Sequence, residues 1–295
     1  MKHLPNLLTL ANLFCGCLAI AYILTAEPYT SMNMGAQGVT GLPTWQWVYG
    51  REQICLGALF IFLAAIFDML DGFAARLLGV YSPIGKDLDS LADMVSFGVA
   101  PSVILFKFLW DAIMGQRNAF EVNMLGMAPA FVLACFAALR LAKFNITSDS
   151  QKGYFIGMPT PAVGIFVASL PLALWFSPLA VSRYLAAFME SQWAIYALIA
   201  VLCWFMVSGI KFIKLMPPRF TLAAAWPQLV LVIATIGLFF VLGWAVVPVV
   251  FILYVLLSFI YKFPVTTDIV ATVDEYNVYI TDNKMISNKT ETEDN

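Results

Sequence analysis

Residues 68–98 read DMLDGFAARLLGVYSPIGKDLDSLADMVSFG, and they set five aspartates and two basic residues into a very apolar chain. Of the 295 residues, 61% are hydrophobic and only 12% charged, and the mean hydropathy is +0.85. Soluble globular domains do not have this balance; integral membrane proteins do. A carboxylate within a membrane span is costly, so Asp68, Asp71, Asp89 and Asp93 have to be explained by what they hold.

Around this stretch, apolar runs long enough to cross a hydrocarbon core of about 30 Å alternate with Gly, Pro and aromatic clusters. Eight spans are expected, over 5–26, 53–78, 88–110, 125–141, 160–176, 193–212, 226–242 and 245–261. The last two are divided only by Gly243 and Trp244. The expected fold is therefore all-α, a polytopic transmembrane helical bundle.

If the first span leaves the cytosol, Lys2, Arg76, Lys86, Arg140, Lys143, Lys152, Lys211, Lys214, Arg219, Lys262, Lys284 and Lys289 fall on the cytosolic side. Only Arg51, Lys107, Arg117 and Arg183 fall opposite. This asymmetry follows the positive-inside pattern and places both termini in the cytosol. The first run is too long, and its PNLLTLAN start too poor in basic residues, for a signal peptide, so it is read as a retained span. Two parts are expected: a membrane-embedded domain over 1–263 and a polar, acidic tail over 264–295 that is partly disordered.

Cys15, Cys17, Cys55, Cys135 and Cys203 lie in apolar segments without a zinc-like pattern and are read as small core residues. His3 is the sole histidine, at the N-terminal end, which excludes Ser-His and Cys-His nucleophiles within the membrane.

Asp68 and Asp71 lie three apart, and Asp89 and Asp93 four apart, so each pair shares a helical face. At 1.5 Å per residue, Asp68 and Asp71 sit roughly 22 and 27 Å along the second span, toward its cytosolic end. Two facing pairs would repel each other in a low-dielectric site unless a cation neutralised them. All-oxygen ligands favour Mg²⁺, Mn²⁺ or Ca²⁺, and four carboxylates could hold two ions. Gly72 and Ala75 leave one helix face bare, and Arg76 supplies a fork suited to phosphate oxygens. Gly85 is placed in the connection, and Asp87 is expected to cap the next helix. Together these residues describe a phosphoryl site; a cation-transport site is the competing reading from another class.

The run Asp68, Asp71-Gly72, Ala75-Arg76, Gly85, Asp89, Asp93 resembles the signature of the CDP-alcohol phosphotransferase family at each specified position. The resemblance implies transfer of a phosphatidyl group from CDP-diacylglycerol to an alcohol, with release of CMP. It implies metal ligation by Asp68, Asp71 and Asp89, and a general-base role with additional ligation for Asp93. Gly72, Ala75, Arg76 and Gly85 would hold the cytidine diphosphate. Mg²⁺ or Mn²⁺, a homodimer and an active site on the cytosolic side of the cell (inner) membrane are expected, and no nucleic-acid partner.

PNLLTLANLFCG at 5–16, DLDSLADMVSFGVAPS at 87–102, RLAKFNI at 140–146 and FIGMPTPA at 155–162 look like the phosphatidylserine synthases of this family. Ser90 and Met94 depart from the pattern of phosphatidylglycerophosphate synthases, so L-serine is favoured over inositol or glycerol 3-phosphate as acceptor. Arg140, Lys143 and Asn145 are candidate contacts for the acceptor or a phosphate. Asn6, Thr9 and Asn12 form a polar stripe that could face the nucleotide or satisfy neighbouring helices.

Overall fold

Each of the eight apolar runs forms a helix in the computed structural model, which describes residues 4–26, 28–37, 43–49, 51–79, 83–114, 124–147, 154–213 and 222–261. The helices are α1 (Leu4–Leu24), α2 (Arg51–Leu78), α3 (Pro83–Asp93), α4 (Ala100–Met114), α5 (Val132–Thr147), α6 (Thr160–Phe176), α7 (Leu179–Met189), α8 (Gln192–Val207), α9 (Leu222–Leu242) and α10 (Val246–Ile260). Four continuous stretches are long and apolar enough to cross a membrane, Leu4–Leu24, Glu52–Leu78, Ile84–Ile113 and Met124–Ile146, and Gln228–Ile260, divided at Gly243, reaches the same length and hydropathy as a fifth when taken whole. The pair α7–α8, bent by 90°, makes a sixth if it is one span, and α6 is apolar but only 17 residues long. The chain is a multi-pass membrane protein. The acidic tail expected over 264–295 lies outside the described residues.

Three local expectations are corrected. Asp87 is not a cap: α3 starts four residues earlier, at Pro83, whose fixed φ suits a first helical position, so both Asp87 and Gly85 lie within the helix. The sixth run was expected to continue to 212, but α8 stops at Val207, and residues 211–213 form a strand. That strand, β4 (Lys211–Ile213), pairs antiparallel with β3 (Tyr154–Ile156). The third is a hairpin, β1 (Pro28–Gln37) with β2 (Pro43–Tyr49), between the first two spans, where no strands were expected. The run PTWQWVY in β2 is rich in aromatic and β-branched residues, which favours extended backbone.

Gly243 takes a φ of +57° in the 3₁₀ turn Gly243–Ala245 that separates α9 from α10. Gln228, Leu231 and Thr235 of α9 face Val247, Val250 and Tyr254 of α10 across one apolar cavity of about 360 Å³, closed by Ala162 and Phe166 of α6. The chain therefore folds back at Gly243, and the last two runs are separate helices packed as a hairpin.

The segment that positions the acidic stretch is Met94–Val99, one turn of π-helix between α3 and α4. Ser96, Phe97 and Gly98 within it are buried. Small residues let neighbouring helices reach its backbone. A Cβ on Gly16 of α1 would lie 2.9 Å from Ser96 Cα, and one on Gly164 of α6 would lie 3.0 Å from Phe97 Cα. The Ser96 hydroxyl donates to the Asn12 carbonyl at 3.1 Å, which ties the same turn to α1.

Candidate functional site

Asp68 and Asp71 sit in the second half of α2, and Asp89 and Asp93 in the second half of α3. Asp68, Asp71 and Asp89 each offer a carboxylate oxygen, and the three oxygens lie within 4.8 Å of one another. The i, i+3 spacing on α2 and the packing of α3 close to it bring about this convergence. Asp93 is outside the group of three but adjacent to it, with Asp68, Asp89 and Arg140 as the charged groups that act on it.

Two residues of the α1 stripe hold these carboxylates. The Thr9 hydroxyl donates to Asp71 Oδ2 at 2.7 Å, and Asn12 Nδ2 donates to Asp93 Oδ1 at 3.3 Å. Thr9 and Asn12 are buried and Asn6 is half-buried. Of the two readings of the stripe, the satisfaction of neighbouring helices is what the bonds of Thr9 and Asn12 display. Polar residues at i and i+3 of an otherwise apolar helix were the signal, but their partners are 62 and 81 residues away.

The donor set suits a hard divalent cation: three carboxylates converge, and the buried Asp89 Oδ1 has no hydrogen-bond partner among the described residues. Such an orphaned, buried oxygen is costly unless something binds it. Beside the cluster, Gly72 opens onto free space, since an added Cβ would meet nothing within 4 Å. Ala75 is half-buried and Arg76 exposed, and Gly85 is half-buried on the first turn of α3.

The basic group lies on α5. Arg140 is buried, stands 5.0 Å from the centroid of the Phe144 ring and donates through Nη1 to Thr160 Oγ1 at 3.2 Å. Asn145 ties the end of α5 to α3. Its amide donates to Ser90 Oγ at 2.8 Å, and its carbonyl accepts from Lys86 Nζ at 3.0 Å. Lys143 is exposed on the same helix. The FIGMP stretch leads into Thr160 and is held by α8 and the residues after it: Gly157, at φ +75°, donates to the Ile210 carbonyl at 2.9 Å, and Met158 to that of Phe205 at 3.0 Å. A Cβ on Gly157 would collide with the Met206 carbonyl, so α6 starts where it does because glycine allows the turn.

A sequence model described as CDP-alcohol phosphatidyltransferase matches residues 2–205, which contain the whole acidic cluster, Arg140 and Asn145. The chain belongs to this family. Curated relatives include CDP-diacylglycerol–serine O-phosphatidyltransferases of Helicobacter pylori (strain J99) and Bacillus subtilis (strain 168). They are 32% identical over 164 residues and 31% identical over 170 residues, or 55% and 58% of this chain. A protein of the same name from Methanocaldococcus jannaschii is 45% identical over 102 residues, 35% of this chain. The matches span 54%, 76% and 43% of these relatives, so the chain covers about half the length of the first and third. The α9–α10 hairpin lies beyond the matched residues.

Proposed function

We propose that this chain transfers a phosphatidyl group from CDP-diacylglycerol to L-serine, giving phosphatidylserine and CMP. The observation that carries the reading is the convergence of Asp68, Asp71 and Asp89 beside Asp93, in a family that takes its name from phosphatidyl transfer. Serine as acceptor is supported by the names of the three relatives described above. Asp68, Asp71 and Asp89 would hold Mg²⁺ or Mn²⁺, with Asp93 able to join a second ion. When bound, a divalent cation neutralises the diphosphate and stabilises CMP as leaving group.

The protein's own groups do the rest. Gly72, Ala75, Arg76 and Gly85 line the cytidine diphosphate, and the open space at Gly72 supports close approach there. Asp93 accepts the proton of the serine hydroxyl as that oxygen attacks the lipid-linked phosphorus. Asn12 fixes the carboxylate of Asp93 through Oδ1, and Thr9 fixes that of Asp71, so neither has to reorganise during the reaction. The protein works as a homodimer in the cell (inner) membrane, with the cluster facing the cytosol.

The test is release of CMP by purified protein given CDP-diacylglycerol and Mn²⁺ or Mg²⁺, with L-serine, inositol, glycerol 3-phosphate or no acceptor. Serine-dependent release with phosphatidylserine formed is the expected result. Release with another alcohol alone would overturn the acceptor, and no release from folded protein would overturn the transfer reaction.

A further inference from the structure

The cavity between α6 and the α9–α10 hairpin has a definite shape. On α9 its lining falls at 228, 231, 232, 235 and 236, and on α10 at 247, 250, 251 and 254. Each set recurs at three and four residues, so each helix gives one continuous face over about two turns. The space of about 360 Å³ is therefore a slot parallel to the helices. From Gln228 to Ile236 it runs roughly 12 Å at 1.5 Å per residue. Its volume is in the range of ligand pockets and well above the gaps left in a close-packed interior.

The inner wall is closed. Phe166, Leu231 and Tyr254 are buried, and Phe166 of α6 stacks on Phe251 of α10 with ring centroids 4.3 Å apart. The outer wall is open: Val232 and Ile236 line the slot and are 54% and 60% exposed. This mouth lies within the apolar stretch Gln228–Ile260, so it faces hydrocarbon and not water. The two hydroxyls of the lining give their hydrogens to the protein. Thr235 donates to the Leu231 carbonyl at 2.7 Å and Tyr254 to the Ile213 carbonyl at 3.1 Å. The rest of the lining, apart from Gln228, is apolar, so a water in the slot would find few partners and an apolar chain would give up none.

We infer that the slot between α6, α9 and α10 holds one acyl tail of a bilayer phospholipid, a molecule distinct from the CDP-diacylglycerol proposed for the acidic cluster. The tail enters sideways between Val232 and Ile236 and lies along the spans, as tails do in the bilayer around it. None of the lining residues comes from α1, α2 or α3, the helices that carry the four aspartates, Thr9 and Asn12. The hairpin also lies beyond the residues matched by the family, so the slot belongs to this chain's own C-terminal part. Filled, it packs the hairpin against α6. Empty, it leaves both helices without contacts along that face, and a ligand that binds only the folded form raises its stability.

The experiment places the full chain in dioleoyl phosphatidylglycerol vesicles with a trace of phosphatidylcholine that carries a diazirine midway along one tail. After irradiation, labelled residues are mapped by mass spectrometry. Labels are expected on the inner wall, at Phe166, Leu231 and Tyr254, and also at Ile233 and Phe240, which are exposed on α9 outside the slot. Val250→Phe and Thr235→Leu, which fill the slot from opposite helices, should each remove the inner labels. Labels retained at Ile233 and Phe240 show that the hairpin is still inserted. For delipidated wild-type protein in detergent, dioleoyl phosphatidylcholine should raise the melting temperature by several degrees, and dihexanoyl phosphatidylcholine should not. The absence of inner labels from the wild type, or their persistence in both variants, would overturn the site. Equal stabilisation by the short-chain lipid would overturn the role of the tail. Loss of the inner labels on adding CDP-diacylglycerol, at a concentration that saturates CMP release, would overturn the separation and give the slot to the substrate.

Discussion

Replacing Thr9 by Val isolates one hydrogen bond at the acidic cluster. Thr9 is buried, and Val has nearly the same shape, so the substitution opens no cavity and removes only the hydroxyl. That hydroxyl lies 2.7 Å from Asp71 Oδ2 and 3.0 Å from the Pro5 carbonyl, and its single hydrogen is shared between them. A hydrogen bond to a charged acceptor contributes about 1.5–3 kcal/mol, and the sharing puts this one at the lower end, about tenfold in a binding constant. Loss of a group that orients a metal ligand costs roughly 10–100-fold in metal affinity, which agrees with that figure. The assay is CMP release as a function of free Mn²⁺ at saturating CDP-diacylglycerol and serine. The half-activating Mn²⁺ concentration should rise about tenfold, with the maximal rate regained at high metal and Thr9→Ser close to wild type. A normal metal dependence combined with a lower maximal rate would refute the reasoning, because Thr9 would then act on the nucleotide and not through Asp71.

Asp93→Asn should abolish turnover while binding of CDP-diacylglycerol, followed by thermal stabilisation, persists; substantial residual turnover would remove Asp93 from the role of base. Treatment with EDTA should stop CMP release, and added Mg²⁺ or Mn²⁺ should restore it, whereas full activity in chelator would leave the three convergent aspartates without the proposed role. Gly16→Ala forces a Cβ to within 2.9 Å of Ser96 Cα, an overpacking that costs about 1–3 kcal/mol. The melting temperature in detergent should fall by several degrees, and an unchanged value would show that α1 and the π-helical turn can separate freely.

The legible part of this molecule was what repeats locally. Hydropathy located a helix in each of the eight apolar runs, because a membrane span is a continuous apolar run whatever it packs against, but it did not mark α7 or the first turn of α3. The aspartate pairs were legible because helical spacing alone puts residues three or four apart on one face. Helix ends were less so: the sixth run was expected to continue to 212, but α8 stops at Val207, where the Ser208-Gly209 pair is a local helix-breaking signal. The π-helical turn carries no sequence mark, since it depends on how Gly16 and Gly164 let two other helices press on it. The surroundings of Arg140 were illegible for a similar reason. Thr160 comes from α6, a helix that reaches it only through the tertiary fold.

The attachment of α10 to β4 also bears on how the protein is made. The carboxylates, Asn12 and Arg140 all lie within the first half of the chain, whereas Tyr254 is translated more than a hundred residues after Arg140. At roughly 5–20 residues per second, that interval is on the order of ten seconds. During it the chain lacks the helix that fastens β4 through Ile213. Insertion of the final hairpin, with Tyr254 and Ser258 engaging Ile213, is thus a maturation step that separates a partly assembled membrane protein from a finished one.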